Sequence, residues 1–544
     1  MNHFGTGGAK KMTNRIFSPY QLVHLMKLRS NGLNSLLITD GVGVGKTISA
    51  GYILYYCANI IREPTLIVCP PILVDKWRFE LKNRFGLDSR LATNMDGFEL
   101  MCDEINSGVE WDVAPIYVCS FSLLSREKDL EIPRIGLILF DEVHYVRNPE
   151  TNAYHNARNL AFSAQYKVGL SATPINNSLE DLGSILSVLH PRIGFEDAND
   201  LFDDLWDSPT LDPFSGMVTR FLKEQVSDQF TRRNVHTEII EYPEEYMQFV
   251  NINIEARTVG NTSFFEKIIF YRLASSSPRA FLNSFKESEE DFQFADPKLD
   301  RLSELLSEKR DERWLIFTEF KETAKHIEDS IGDRIAMVLS GDSDYEERKA
   351  IVNIFRNEPD SVLIMTPVGS EGLDFQICSN LVNYDLHWNP MKIEQRIGRI
   401  DRIGQAKDEI DIHNFVARGS IDEMVVAKIG EKLAIVSDTF ADIMSIIERE
   451  DDIDSMIDNE ALDAELESAE ELISASKFYN RFTSSDVDVI KHINPENCDV
   501  EEWVWWDWSQ PTPWIGNCNS WLRQTVNNAQ EFNDIITAYV GSSS

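Results

Sequence analysis

The chain has 544 residues, 43% of them hydrophobic and 10% aromatic, with a formal net charge of −37. Its length exceeds one core and fits about two to four domains, and its apolar content excludes a wholly disordered chain. The acid excess excludes a basic surface spread over the whole molecule, so any track for nucleic acid must be local. The acid is also uneven: Ala441 to Ser544 hold 22 Asp and Glu against 5 Lys and Arg, a net of −17, which leaves −20 for the first 440 residues. The polar start from Met1 to Met12 lacks the apolar stretch of a secretory signal, and Ile48 to Ile61 is too short to cross a bilayer. Seven scattered cysteines without a C-x-x-C pair predict buried thiols in a reducing compartment rather than a zinc site. A soluble, cytoplasmic protein is expected.

In chain order, the first candidate is Gln21, behind Phe17-Ser18-Pro19 at the start of a short helix. Its amide offers a donor and an acceptor to an adenine edge, and it reads equally as plain surface. The apolar run Ser35 to Thr39 leads into Asp40-Gly41-Val42-Gly43-Val44-Gly45-Lys46-Thr47 and then into a buried helix from Ile48. A strand, a glycine-rich turn and a helix in that order gather backbone N–H groups and a helix N-terminus around one point. Such a turn suits a triphosphate, with Gly41, Gly43 and Gly45 in the cradle, Lys46 on the phosphates and the Thr47 hydroxyl on Mg²⁺. The full pattern asks for glycine where Asp40 stands, and glycine-rich turns without a ligand also occur.

Apolar strands follow at Thr65 to Cys69 and Ile116 to Ser120, with a helical stretch carrying Trp77 between them. Another strand, Ile135 to Phe140, runs into Asp141-Glu142-Val143-His144, about 95 residues after Lys46. Adjacent carboxylates at a buried strand end are costly unless a cation holds them. Beside a phosphate turn, Asp141 would hold Mg²⁺ and Glu142 would orient and deprotonate water. Ser171 and Thr173 end the next strand, as relays of phosphate state or as turn formers. Residues 178–233 read as an acidic helical insertion closed by Arg232-Arg233, and 239–297 as a second helical insertion or linker. Buried strands resume at Trp314 to Thr318, Ala336 to Leu339, Val362 to Thr366 and Leu381 to Tyr384, a second parallel sheet without its own phosphate turn.

These motifs, with Gly369 to Gln376, Trp388-Asn389-Pro390 and Glu394 to Gln405, resemble the Swi/Snf family of superfamily-two helicase-like ATPases over about residues 16 to 440. The second-lobe run resembles the bacterial members most. The resemblance implies an α/β fold of two tandem RecA-like lobes, parallel sheets flanked by helices, with helical insertions and a small C-terminal domain. The expected division is a flexible start over 1–15, lobe 1 over 16–238, lobe 2 over 298–440 and a C-terminal region over 441–544. It also implies ATP and Mg²⁺, with Gln395 meeting the attacking water or γ-phosphate and with Arg399 and Arg402 as arginine fingers. Gly369, Glu371 and Gly372 would couple nucleotide to the DNA backbone. Three departures stand out: Gly41 where the family usually has Glu, Val143 in place of Ala, and Ser171-Ala172-Thr173 in place of Thr-Gly-Thr. None removes a catalytic atom.

The end of the chain is read less sharply. Ile446 to Lys477 is an acidic stretch with apolar residues at helical spacing, either a solvated amphipathic helix or a mimic of a nucleic-acid backbone. Six of the eleven tryptophans lie between Trp503 and Trp521, either the core of a small module or a protein-docking face. The expected function is an ATP-driven motor on double-stranded DNA without sequence preference and without a membrane. The alternatives are a branched-DNA or replication helicase, or a remodeller that strips a protein partner.

Overall fold

The computed structural model describes residues 20–30, 32–126, 133–175, 179–192, 215–221, 231–258, 264–284, 294–332, 334–367, 373–387, 389–402 and 405–434, with short pieces near 466–473, 514–515 and 524–525. The chain divides into two compact units, residues 1–228 with 475–544, and residues 229–474.

In the first unit, α1 (Tyr20–Ser30), β1 (Ser35–Ile38) and α2 (Lys46–Tyr56) bracket the glycine-rich turn. The chain continues through β2 (Thr65–Cys69), α3 (Val74–Glu80), β3 (Ser89–Leu91), α4 (Met95–Asn106), β4 (Ile116–Ser120), α5 (Phe121–Leu124) and β5 (Ile135–Asp141). It ends, among the described residues, in α6 (Asn152–Ser163), β6 (Ala164–Leu170), α7 (Leu179–Leu189) and β7 (Val218–Thr219). The strands form one parallel sheet in the order β3-β4-β2-β5-β6-β1-β7. Every residue of β1, β2 and β4 is buried, which is why these strands read as unbroken apolar runs rather than alternating ones. Leu36, Ile38, Ile67, Val118, Leu139 and Val168 meet Ile53, Leu54 and Trp77 in one core beneath the turn. Cys57, Cys69 and Cys119, with Cys378 of the second unit, are buried free thiols, as their apolar settings predict.

The second unit opens with β8 (Arg232–Ile240), followed by α8 (Glu244–Thr258), α9 (Phe264–Ser276), α10 (Pro278–Ser284) and α11 (Pro297–Glu308). Then come β9 (Trp314–Phe317), α12 (Lys321–Ser330), β10 (Ala336–Leu339), α13 (Tyr345–Asn357) and β11 (Val362–Met365). β12 (Asn380–Asn383), α14 (Pro390–Ile397), β13 (Glu409–Ala417) and α15 (Ile421–Ala434) complete it. Its sheet is parallel, in the order β10-β11-β9-β12-β13-β8. Two α/β units built on parallel sheets match the expected fold class.

One boundary differs. The expected first lobe ran to residue 238 and its helical insertion to 233, but β8 pairs along its length with β13, from Arg232 opposite Glu409 to Ile240 opposite Ala417. Residues 232–240 are therefore an edge strand of the second sheet. The segment gives no apolar run because its charges are answered by neighbours: Arg232 by Glu409, and Glu238 by Arg301 and His413. Beyond β8, the described helices α8, α9 and α10 fall within the second expected insertion and belong to the second unit. The acidic stretch and the tryptophan cluster fall almost wholly outside the described residues. The exceptions include buried Ala469, Leu472 and Ile473, and a pair of two-residue antiparallel strands, Trp514–Ile515 and Gln524–Thr525.

Candidate active site

The turn between β1 and α2 holds Gly43 at φ 86° and Gly45 at φ 104°, a left-handed region that glycine enters without steric cost. The result is a loop without side chains at those points, opening onto the N-terminus of α2. Lys46 Nζ donates to the carbonyl oxygens of Asp40 (2.8 Å) and Gly41 (3.4 Å), so its ammonium lies against the loop's own backbone. Thr47 follows in the first turn of α2 and is half-buried.

Asp40 explains the departure from the glycine pattern. It is fully buried, with Oδ2 2.9 Å from Nε2 of the equally buried His24, while Oδ1 accepts the Phe221 backbone N–H at 2.9 Å. The Gly41 N–H donates to the Phe221 carbonyl at 2.8 Å, and the rings of His24 and Phe221 lie 5.1 Å apart. Lys27, one turn beyond His24 on α1, donates to the Val218 carbonyl of β7. A carboxylate at this position thus ties three elements to the root of the turn: α1, which carries the buried Gln21, then β1, and the stretch after β7. Sequence reasoning missed His24, because its partner Asp40 lies 16 residues away and His24 itself belongs to no local pattern.

At the end of β5, Asp141 accepts the Trp77 indole N–H at 2.8 Å. Burial, and then the charge of Glu142, push Asp141 up to about 6, while the Trp77 hydrogen bond and the ammonium groups of Lys76 and Lys46 pull the other way. Lys46 and the acid pair are therefore electrostatic neighbours. Glu142 sits at φ 54°, an uncommon conformation for a residue with a side chain. His144 lies 3.4 Å from Glu142 Oε2 and 3.3 Å from Ser171 Oγ, and Ser171 Oγ accepts the Thr173 N–H at 3.2 Å. Acid pair, His144, Ser171 and Thr173 thus form one chain of contacts.

These residues fit a magnesium nucleotide. The loop carries no side chain at Gly43 and Gly45, and the adjacent carboxylates of Asp141 and Glu142 offer the oxygen ligands that a divalent cation takes. Among the described residues no three His, Cys, Asp or Glu side chains converge to hold a metal unaided. A cation held by Thr47 and Asp141 would complete its shell with phosphate oxygens and water.

In the second unit, Gln395, Arg399 and Arg402 share α14 and the turn after it. Arg396, buried beneath them, donates to the Asp385 carbonyl at 2.8 Å and to Asn383 Oδ1 at 3.3 Å and ion-pairs with Glu319, anchoring α14 to the sheet. The Phe375 N–H donates to the Arg399 carbonyl at 2.8 Å, Arg399 Nη1 donates to the Leu373 carbonyl at 3.2 Å, and Arg402 ion-pairs with Asp374. The arginine segment is thereby fastened to residues 373–375. Gly369, Glu371 and Gly372, just upstream, lie outside the described residues, so their expected coupling role remains an expectation.

Two family models match the chain, an SNF2-related domain over residues 20–279 and a Helicase conserved C-terminal domain over 297–404. The chain belongs to the Swi/Snf family of helicase-like ATPases. It is 26% identical over 473 residues to an uncharacterized ATP-dependent helicase, YqhH, of Bacillus subtilis, a match covering 79% of this chain and 80% of that one. It is also 26% identical over 492 residues to the RNA polymerase-associated protein RapA of Vibrio parahaemolyticus, covering 77% of this chain and 50% of RapA. The chain thus spans about half the length of RapA. The SWI2/SNF2 ATPase core of Sulfolobus solfataricus, solved in complex with dsDNA, aligns at 19% identity over 83% of this chain and 96% of that one, with a TM-score of 0.33. That score adds nothing to the two family matches. Among the described residues no helix is long and apolar enough to cross a membrane.

Proposed function

We propose that this chain hydrolyses ATP at the turn and acid pair of the first unit and uses the energy to move along double-stranded DNA, gripping the backbone without reading sequence. The observation that most supports hydrolysis is the placing of Asp141 at the end of β5, held by the Trp77 indole and next to Glu142, within electrostatic reach of Lys46. In this mechanism Gln21 meets the adenine, the N–H groups around Gly41, Gly43 and Gly45 bind the phosphates, and Lys46 leaves the Asp40 and Gly41 carbonyls to bind phosphate. Thr47 and Asp141 hold Mg²⁺, which when bound neutralises phosphate charge. Glu142 orients a water molecule and accepts its proton, and His144 passes the change to Ser171 and Thr173. Gln395, Arg399 and Arg402 act on the γ-phosphate, where guanidinium groups stabilise the charge spread over a loose transition state, an effect of about 10³–10⁵ in rate.

Family membership supports the motor reading. The similarity to RapA favours a second reading, in which the same motor acts on a protein partner such as RNA polymerase.

The test is ATP turnover with duplex DNA, single-stranded DNA and no DNA, together with displacement of a third strand from a triplex. Duplex-stimulated turnover and triplex displacement, both lost in Lys46→Ala, are the expected outcome. Turnover indifferent to DNA would overturn the DNA motor, and stimulation only by added RNA polymerase would favour the second reading.

A further inference from the structure

The residue that sequence reasoning left as the end of an insertion, Arg233, contacts the arginine segment at both ends. From β8 its Nη1 reaches the two carboxylate oxygens of Glu394 at 3.2 and 3.1 Å, and its Nε donates to Asp401 Oδ2 at 2.7 Å. Thr231 Oγ1 donates to the other oxygen, Asp401 Oδ1, at 2.8 Å. Glu394 immediately precedes Gln395, and Asp401 lies between Arg399 and Arg402. Asp401 is 1% exposed, so its charge needs these partners. One guanidinium therefore contacts the segment at both ends, apart from the contacts made by Leu373, Asp374 and Phe375.

We propose that Arg233 is the positioning residue for Gln395, Arg399 and Arg402, fixing their helix and turn through Glu394 and Asp401. This inference rests on the reading that those three side chains act on the nucleotide. The planar fork of arginine can address two carboxylates at once, whereas a lysine ammonium is a point charge that serves one of them well. Misplacing a transition-state group by about 1 Å costs on the order of 10²-fold in rate without touching the substrate. Arg233 also stands near the start of the second unit, where the chain arrives from the first.

The experiment measures steady-state ATP turnover, nucleotide affinity and thermal midpoint on the full chain. Arg233→Ala is expected to lower kcat about 10²-fold with nucleotide affinity unchanged, the pattern of a lost transition-state interaction. Arg233→Lys should recover only part of that loss. Because Arg233→Ala strands two carboxylates, the pair Arg233→Gln with Asp401→Asn removes the buried charge and leaves only Glu394, which is partly exposed to water. It should keep the wild-type thermal midpoint and still turn over slowly. Arg233→Ala added to Arg399→Ala should cost less than Arg233→Ala alone, since Arg399 is no longer there to be misplaced and only Gln395 and Arg402 still depend on Arg233.

The two readings fail separately. Wild-type turnover in Arg399→Ala and Arg402→Ala would overturn the arginine reading itself. Slow turnover in those variants with wild-type kcat in Arg233→Ala would overturn the positioning role alone. The positioning role would also fall if activity in the charge-paired variant tracked only the fraction of folded protein.

Discussion

A carboxyl group at the buried end of a strand, next to a second carboxylate, resists ionising. Burial and then Glu142 push Asp141 up to about 6, against about 3.9 in an unfolded chain. Between those values the folded chain keeps a proton that the unfolded chain has released, so stability falls as pH rises through the window and stays reduced above it. Asp141→Asn removes the charge and keeps an oxygen for the Trp77 indole. Without nucleotide, its thermal midpoint should exceed that of the wild type near pH 8, with the advantage fading by about pH 4. Equal midpoints near pH 8 would show that Asp141 is not held in an unfavourable charged state. The residues proposed to bind phosphate and cation were legible in the sequence because each sits in a short run, Gly41 to Thr47 or Asp141 to His144. His24 and Arg233 were not legible. Each acts through a carboxylate distant in sequence, Asp40 or Asp401, that only the fold brings near.

At the scale of elements, most of the legible strands were buried on both faces, where the apolar run is itself the signal. β8 and β13 escaped because their paired charges broke the pattern, and their pairing spans nearly the whole second unit. Helix α2 shows a different constraint that composition hides. A Cβ on Gly51 would lie 2.1 Å from Cζ and 2.2 Å from Cε2 of Phe85, whose buried ring packs edge-on against Tyr52 at 5.4 Å. The wide turn Leu81–Phe85 places that ring directly on the helix backbone. Helix propensity alone favours alanine over glycine by about 1 kcal/mol. Overpacking a well-filled core costs about 1–3 kcal/mol, and a contact this short falls at the upper end. Gly51→Ala should therefore destabilise the first unit by about 1–2 kcal/mol, read as a lower urea midpoint at unchanged slope. A rise in midpoint would mean that the Phe85 ring turns aside at little cost.

At the scale of the whole molecule, the proposal divides binding and chemistry between two units that each have a core of their own. The residues proposed to bind ATP in its ground state, Gln21, Gly41, Gly43, Gly45, Lys46, Thr47 and Asp141, all belong to the first unit. Arg399 and Arg402 belong to the second and are proposed to act on charge that develops only in the transition state. A ligand that binds only the folded form stabilises it by about 2.7 kcal/mol at 100 times its dissociation constant. Separate cores also make a single two-state unfolding step an unsafe assumption. Calorimetry of the full chain with Mg²⁺ and a slowly hydrolysed ATP analogue should therefore raise the midpoint of one transition, that of the first unit. Lys46→Ala should abolish the shift, because it removes a group that binds phosphate in the ground state. Arg399→Ala should keep most of the shift while losing turnover, because a transition-state group adds little to ground-state affinity. A shift lost equally in both variants would place Arg399 in ground-state binding and end the proposed division between a unit that holds the nucleotide and a unit that completes its chemistry.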